Sequence, residues 1–374
     1  MTFDNYVNAT GLDRPAFGEA FLLGEGCSAI HLLGRGNDWY QYDDLPLALA
    51  AVREHLRSAT RIITYGSSMG GYAALRCGAA VGAHVALALS PQYSNDPEVV
   101  PWERRWFDDG HRIRWLPALE DVLRFGTPGI LLFDPLGQDR RHAALIASQT
   151  ACTLVPLRHA GHPVATFLNE INLLRPLVAA LREDHFDAAG FLGLARSRRR
   201  ESSVYLSHLA LAQHPRRIAL AIDLAERARA KAPGSAIALQ ALGTILSRAD
   251  RHDEAIAVLN EAVQLTRRTD PHYLYFLAEA FVAAGRNEDA IGQMADAIAL
   301  APELAHLRVW QAKALARIGD LRGAVRMQAS AIRLAPQRRA YRTRLWKYWG
   351  QLIVSAIRRV LGVSNRSPRP AMPR

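Results

Sequence analysis

The sequence predicts a chain in two parts: a mostly parallel, helix-covered sheet over residues 1–184, then an all-α solenoid of repeated helix pairs over residues 202–337. Three observations predict it. Short β-rich apolar runs alternate with helical stretches in the first half. Small residues recur every 34 or 35 positions in the second. Charge divides the same way: residues 1–185 carry 16 Arg, no Lys and 20 Asp plus Glu, a net of −4, whereas residues 186–374 carry +15.

Taken in order, the strands are expected at Ala29–Leu33, Arg61–Tyr65, His84–Leu89, Gly129–Phe133 and Cys152–Leu157. Helices are expected between or after them at Leu45–Arg57, Gly70–Ala80, Arg140–Gln149 and Val164–Leu181. The run Phe21–Leu23 precedes Ala29 too closely for a parallel crossover, so it is expected to be an antiparallel strand.

A nucleophile candidate sits where one strand turns into a helix. After Arg61–Tyr65 come Gly66-Ser67-Ser68-Met69-Gly70-Gly71 and then a helical stretch, a G-x-S-x-G in strand–turn–helix context. The central Ser68 must occupy a strained turn, and the glycines two before and two after let strand and helix approach. The helix N-terminus turns free N–H groups toward developing negative charge. Ser67 lacks symmetric glycines and is the weaker candidate.

Two later loops supply an acid and a base in the order Ser, Asp, His. The first, Asp134-Pro-Leu-Gly-Gln-Asp139, offers two carboxylates. Asp139 is preferred because the loop must carry the acid past the strand end, with Asp134 the fallback. The second, Arg158-His-Ala-Gly-His162, offers His162 after a glycine and before a helix, while His159 lies nearer the strand and reads as structural.

With these motifs in place, Phe17–Leu181 resembles the α/β-hydrolase superfamily. The resemblance implies Ser68 as nucleophile, His162 as general base, Asp139 as orienting acid and a Met69 N–H in the oxyanion hole. The expected activity is cleavage of an ester or thioester; an acyltransferase would use the same residues. Only one strand–helix unit fits before Gly66, so the fold is expected to have an abbreviated N-terminus. If Ala29–Leu33 flanks the nucleophile strand, the second oxyanion donor comes from Gly34–Gln41, with Asn37 the candidate. Residues 91–126 form a candidate lid. Trp39, Tyr40, Trp102 and Trp106 are candidate substrate contacts, against the plainer reading that they pack as core.

In the second half, Ala221, Ala255, Ala290 and Ala324 align, as do Ala228, Ala262, Ala297 and Ala331. Pro233, Pro302 and Pro336 close units, with Arg267 standing where a second-unit proline would be, and Gly285 and Gly319 mark turns. This pattern resembles the tetratricopeptide repeat, four units of it. Such repeats imply a groove for a protein or peptide, here an acidic one given the arginines. A catalytically silent adaptor acting through the repeats is the competing expectation. Residues 185–201 read as an exposed linker. Residues 338–363 read as a capping helix whose arginines also suit a membrane surface. Residues 364–374 are expected to be disordered.

Composition bounds the rest. The chain has 374 residues, 49% hydrophobic and 22% charged, enough to build cores. It contains no apolar run long enough for a transmembrane helix and begins without a signal-peptide pattern. Three scattered cysteines, Cys27, Cys77 and Cys152, exclude a disulfide framework and suit a reducing cytoplasm. No metal-ligand spacing appears, no cofactor is expected, and the basic half lacks a nucleic-acid motif.

Overall fold

The computed structural model describes residues 1–7, 11–213 and 215–360. They fall into two compact units, one running from Met1 to Pro233 and one beginning at Gly234.

The first unit is built on six parallel strands. In chain order they are β1 (Thr2–Phe3), β2 (His31–Leu32), β3 (Ile63–Ser67), β4 (Val85–Leu89), β5 (Gly129–Phe133) and β6 (Cys152–Pro156), arranged β2-β1-β3-β4-β5-β6. Helices α1 (Glu19–Gly24), α2 (Leu45–His55), α3 (Met69–Val81), α4 (Phe107–Arg112), α5 (Asp139–Ala147), α6 (Ala165–Glu170) and α7 (Leu174–Arg182) connect and follow the strands. Strands β4 and β5 are buried along their whole length, as near-continuous apolar runs in a helix-covered parallel sheet should be. One core cluster joins Phe3, Trp39, Tyr40, Leu49 and Met69, and another joins Leu75, Leu131, Phe133 and Ile146.

Four expectations change here. Phe21–Leu23 is part of helix α1, because its apolar residues follow a helical turn rather than a pleat. The N-terminus is less abbreviated than expected: β1 and β2 both precede β3, and β1 is only two residues long within a polar stretch. Val164–Leu181 is two helices, broken where Asn172 takes φ +55°. Residues 185–201 are not an exposed linker: α8 (Ala188–Arg198) starts on an Asp187 cap and buries Phe191 and Ala195.

Helix α9 (Ser203–Leu211) is bound to the sheet part through Glu170. Its carboxylate accepts from the Ser202 and Ser203 hydroxyls, each at 2.5 Å, and from the Val204 N–H at 3.1 Å. With α10 (Ile218–Lys231) it forms the first helix pair, inside the first unit.

The second unit stacks three further pairs: α11 (Ala236–Arg248) with α12 (His252–Leu265), α13 (Pro271–Ala283) with α14 (Asn287–Leu300), and α15 (Ala305–Arg317) with α16 (Leu321–Leu334). Ser235, Asp270 and Asp320 cap α11, α13 and α16. The aligned alanines Ala255, Ala262, Ala290, Ala297, Ala324 and Ala331 all lie on second helices and are essentially inaccessible. Small side chains there are required because the helices touch; a Cβ on Gly243 would overlap Leu259. Gly285 and Gly319 take positive φ at the turn within a pair, and Asp250 takes φ +57° at the matching place. Where proline is missing, Arg267 and Arg268 both adopt positive φ to end α12. Helix α17 (Arg339–Val360) packs on α16 through Tyr341 and Tyr348. The expected end of that helix at 363 and the tail 364–374 lie outside the described residues. Among the described residues no helix is long and apolar enough to cross a membrane.

Candidate active site

In a parallel sheet every strand delivers its C-terminal end to the same edge, and residues distant in sequence meet there. Strand β3 ends at Ser67, and Ser68 follows with φ +54° and ψ −118°, a conformation an L-residue holds only when its surroundings enforce it. The surroundings are the two glycines. A Cβ on Gly66 would overlap the Gly70 carbonyl, and one on Gly70 would overlap the Phe3 carbonyl. The Ser68 N–H is held by the Leu89 carbonyl at 2.8 Å.

Ser68 Oγ lies 3.0 Å from His162 Nε2, and His162 Nδ1 lies 2.8 Å from Asp139 Oδ2. A carboxylate only accepts, so Nδ1 carries the proton and Nε2 is free to accept from the Ser68 hydroxyl. Burial opposes ionisation of Asp139, but the hydrogen bond and charge of His162 and the adjacent Arg105 outweigh it and hold its carboxyl below the usual range.

Asp134 is otherwise engaged. Its Oδ2 accepts from the Gly161 N–H and its Oδ1 from the Leu136 N–H, each at 3.0 Å. It shapes the loop that carries His162. His159, at φ +61°, turns its ring edge-on to Tyr205 of α9.

Residues 91–126 reach the site through Arg105, Trp106 and Gln92. Arg105 donates to Asp139 Oδ1 at 2.6 Å and to Glu103 at 2.7 Å. Glu103 also accepts from His142 Nε2 at 2.9 Å, while His142 Nδ1 accepts from the Tyr93 N–H. Burial works against the Glu103 charge, yet His142 and Arg105 hold that carboxyl well below the usual range. Burial lowers the His142 pKa. Trp106 sets its ring 5.2 Å from the His162 ring. Gln92, fully buried, donates from Nε2 to Ser68 Oγ at 3.0 Å, and its Oε1 finds no partner among the described residues.

Several expected contacts fall elsewhere. Trp39 and Tyr40 are buried core; Trp39 packs on Tyr6 and Trp106, and Tyr40 donates to backbone carbonyls of Asp4 and Leu32. Trp102 lies against His142 and under Arg141. Of the four, Trp106 lies against the His162 ring. The oxyanion expectation for Asn37 is corrected by strand order: β1, not β2, flanks β3, so the loop beside the Ser68 turn is the one after Phe3. Asn37 spends both amide atoms on the Val7 backbone, accepting at 3.0 Å and donating at 2.8 Å. Met69 opens α3, so its N–H belongs to the first turn that has no intrahelical acceptor.

Gln92, Glu103 and His142 had no sequence signal beyond their position after strand ends or in the lid segment. Arg105, given no role by the sequence, meets Asp139 and Glu103.

The second unit has a cavity of about 910 Å³ bordered by Arg248, Lys313, Arg317, Glu279, Phe276 and Trp310. Lys313 Nζ lies over the Trp310 ring. Among the described residues no group of three or more His, Cys, Asp or Glu side chains is arranged to hold a metal ion.

No family model matches the chain, and no curated protein matches it. Among solved structures it is similar to a thermophilic tetratricopeptide-repeat protein of Thermus thermophilus, at 21% identity and TM-score 0.38, over 48% of this chain and 98% of that one. It is also similar to YrrB, described as a tetratricopeptide-repeat protein with an unusual peptide-binding site, at 19% identity and TM-score 0.35, over 48% of this chain and 90% of that one. A third similarity is to MamA from Desulfovibrio magneticus, at 19% identity and TM-score 0.35, over 46% and 98%. The helical repeat itself is read from the 34-residue helix pairs of this chain.

Proposed function

We propose that the first unit is a serine hydrolase acting on an ester or thioester. The single observation that supports this most is the hydrogen-bonded line Ser68–His162–Asp139 on a strained turn between β3 and α3. In this reading Ser68 Oγ attacks the acyl carbonyl as its proton passes to His162 Nε2. Ionised Asp139 stabilises the imidazolium, and Arg105 keeps Asp139 ionised. Gln92 Nε2 holds Ser68 Oγ in place, and the negative charge builds on the carbonyl oxygen, which the Met69 N–H takes. His162 then returns the proton to the leaving alcohol or thiol. Water, activated by the same histidine, resolves the acyl-enzyme; a second alcohol or amine in its place would make the protein an acyltransferase.

The helical unit supplies a binding surface. Three basic side chains against one acid beside two aromatic rings support an acidic protein or peptide segment as its occupant.

A second reading, a hydrolase-like adaptor without turnover, draws on one observation: Ser68 is only 5% exposed. Labelling with a fluorophosphonate probe and locating the adduct by peptide mass spectrometry separates the two. Modification of Ser68, lost in Ser68→Ala, is the outcome expected of an activated serine. A folded protein that takes no label favours the adaptor.

A further inference from the structure

Helix α17 carries two apolar stripes, and only one is used for packing. Tyr341, Leu345, Tyr348 and Leu352, spaced four, three and four apart, face the solenoid; the two tyrosines are buried and the two leucines half-buried. The other stripe runs Trp346, Trp349, Ile353 and Ile357, at three, four and four, about 115° further round the helix. These residues are 74%, 43%, 56% and 52% exposed. A helix that merely sealed the repeat would be polar on that side.

The charge around the exposed stripe selects its occupant. Residues 338–358 include Arg338, Arg339, Arg342, Arg344, Lys347 and Arg358, with no Asp or Glu. At 100° per residue Arg339 and Arg342 lie in line with the stripe at its N-terminal end, and Lys347 and Arg358 lie together about 115–135° from its centre. Two copies docked stripe to stripe would bring like charges together. An anionic lipid surface instead meets the arginines with phosphate, takes the tryptophans at headgroup depth and the isoleucines just below.

We propose that α17 is an in-plane anchor for anionic membranes, capping the repeats with one face and entering the lipid interface with the other. The helix lies along the surface and does not span it.

The test is flotation of the full chain with vesicles of phosphatidylcholine alone and with phosphatidylglycerol added. Binding is expected only with the anionic lipid, weakening as salt rises. Replacing Trp346, Trp349, Ile353 and Ile357 together by serine leaves the tyrosine face intact and is expected to weaken partitioning about tenfold or more. Helical content and melting of that variant are measured alongside, and Trp346→Ser alone, a fully outward change, is expected to weaken binding in the same direction. A wild-type chain left unbound by anionic vesicles overturns the proposal. So does unchanged binding by the variants, which would move the contact to other arginines. A dimer in sedimentation that these substitutions dissolve, with no vesicle binding, would assign the stripe to a second copy and equally overturn it.

Discussion

Asp134 and Asp139 lie five residues apart in one loop, and their partners separate their roles. Asp139 meets the imidazole, so under the proposed hydrolase function Asp139→Asn is expected to lower turnover on a p-nitrophenyl ester by about 10⁴-fold with the fold intact. Asp134 meets two backbone N–H groups, so Asp134→Asn is expected to cost far less turnover and to lower the melting temperature, through the loop it shapes. Full activity of Asp139→Asn would return the proposed acid role to Asp134. Position past the strand end favoured Asp139 in the sequence, but what Asp134 does instead was not legible there, because which backbone N–H lies near its carboxylate depends on how the His162 loop folds.

At the level of elements, the contact between the His162 loop and α9 had no sequence signal. Gly161 takes φ +73°, and a Cβ there would overlap the His208 ring of α9. Gly161→Ala is therefore expected to destabilise the chain by about 1–3 kcal/mol and to reduce Ser68 labelling. Adding His208→Ala removes the overlap but not the backbone strain, so only part of the loss should return; equal melting temperatures for the single and double variants would show that the overlap is not what matters. The strand–turn–helix around Ser68 was legible because it is local: Gly66 and Gly70 are needed by neighbours within a few residues. Strand β1 was not, since two residues in a polar stretch leave no periodic trace, and it is their pairing with β2 and β3 that makes them a strand.

For the whole molecule, the boundary of the first unit decides what can be cut. A chain ending at Pro233 is expected to fold and to keep Ser68 labelling, because α8 and α9 remain on the sheet part. One ending at Leu181 would strip α8 and leave Glu170 without the end of α9, and is expected to be unstable to urea or to proteolysis. Acid stability follows from the site's charges. Burial lowers the pKa of His142 below its ordinary 6.5, so the unfolded chain binds more protons and stability falls as pH drops through that range. Glu103 and Asp139 have folded values below their ordinary 4.5 and 3.8; their contribution is present above those values and is lost as pH falls below them. Arg105→Gln removes the cation they share, so the acid loss should begin at higher pH, and Arg105→Lys should restore part of it. Urea midpoints between pH 3 and pH 8 check both; identical acid limbs for wild type and Arg105→Gln would rule out the shared cation.

By itself the sequence determined the alternation of strand and helix, the strand–turn–helix around Ser68, the order Ser, Asp, His and the 34-residue repeat. Each of these is carried by spacing within a few tens of residues, where the backbone's own periodicities act. Only the tertiary structure decided that Asp134 serves the loop, that Arg105, Glu103 and His142 form a hydrogen-bonded line behind Asp139, and that Asn37, Trp39 and Tyr40 belong to packing. It also decided that one stripe of α17 stays uncovered. These outcomes depend on which side chain is nearest once distant segments share an edge or a face, and burial then sets whether a polar group is paired or a tryptophan is left in water.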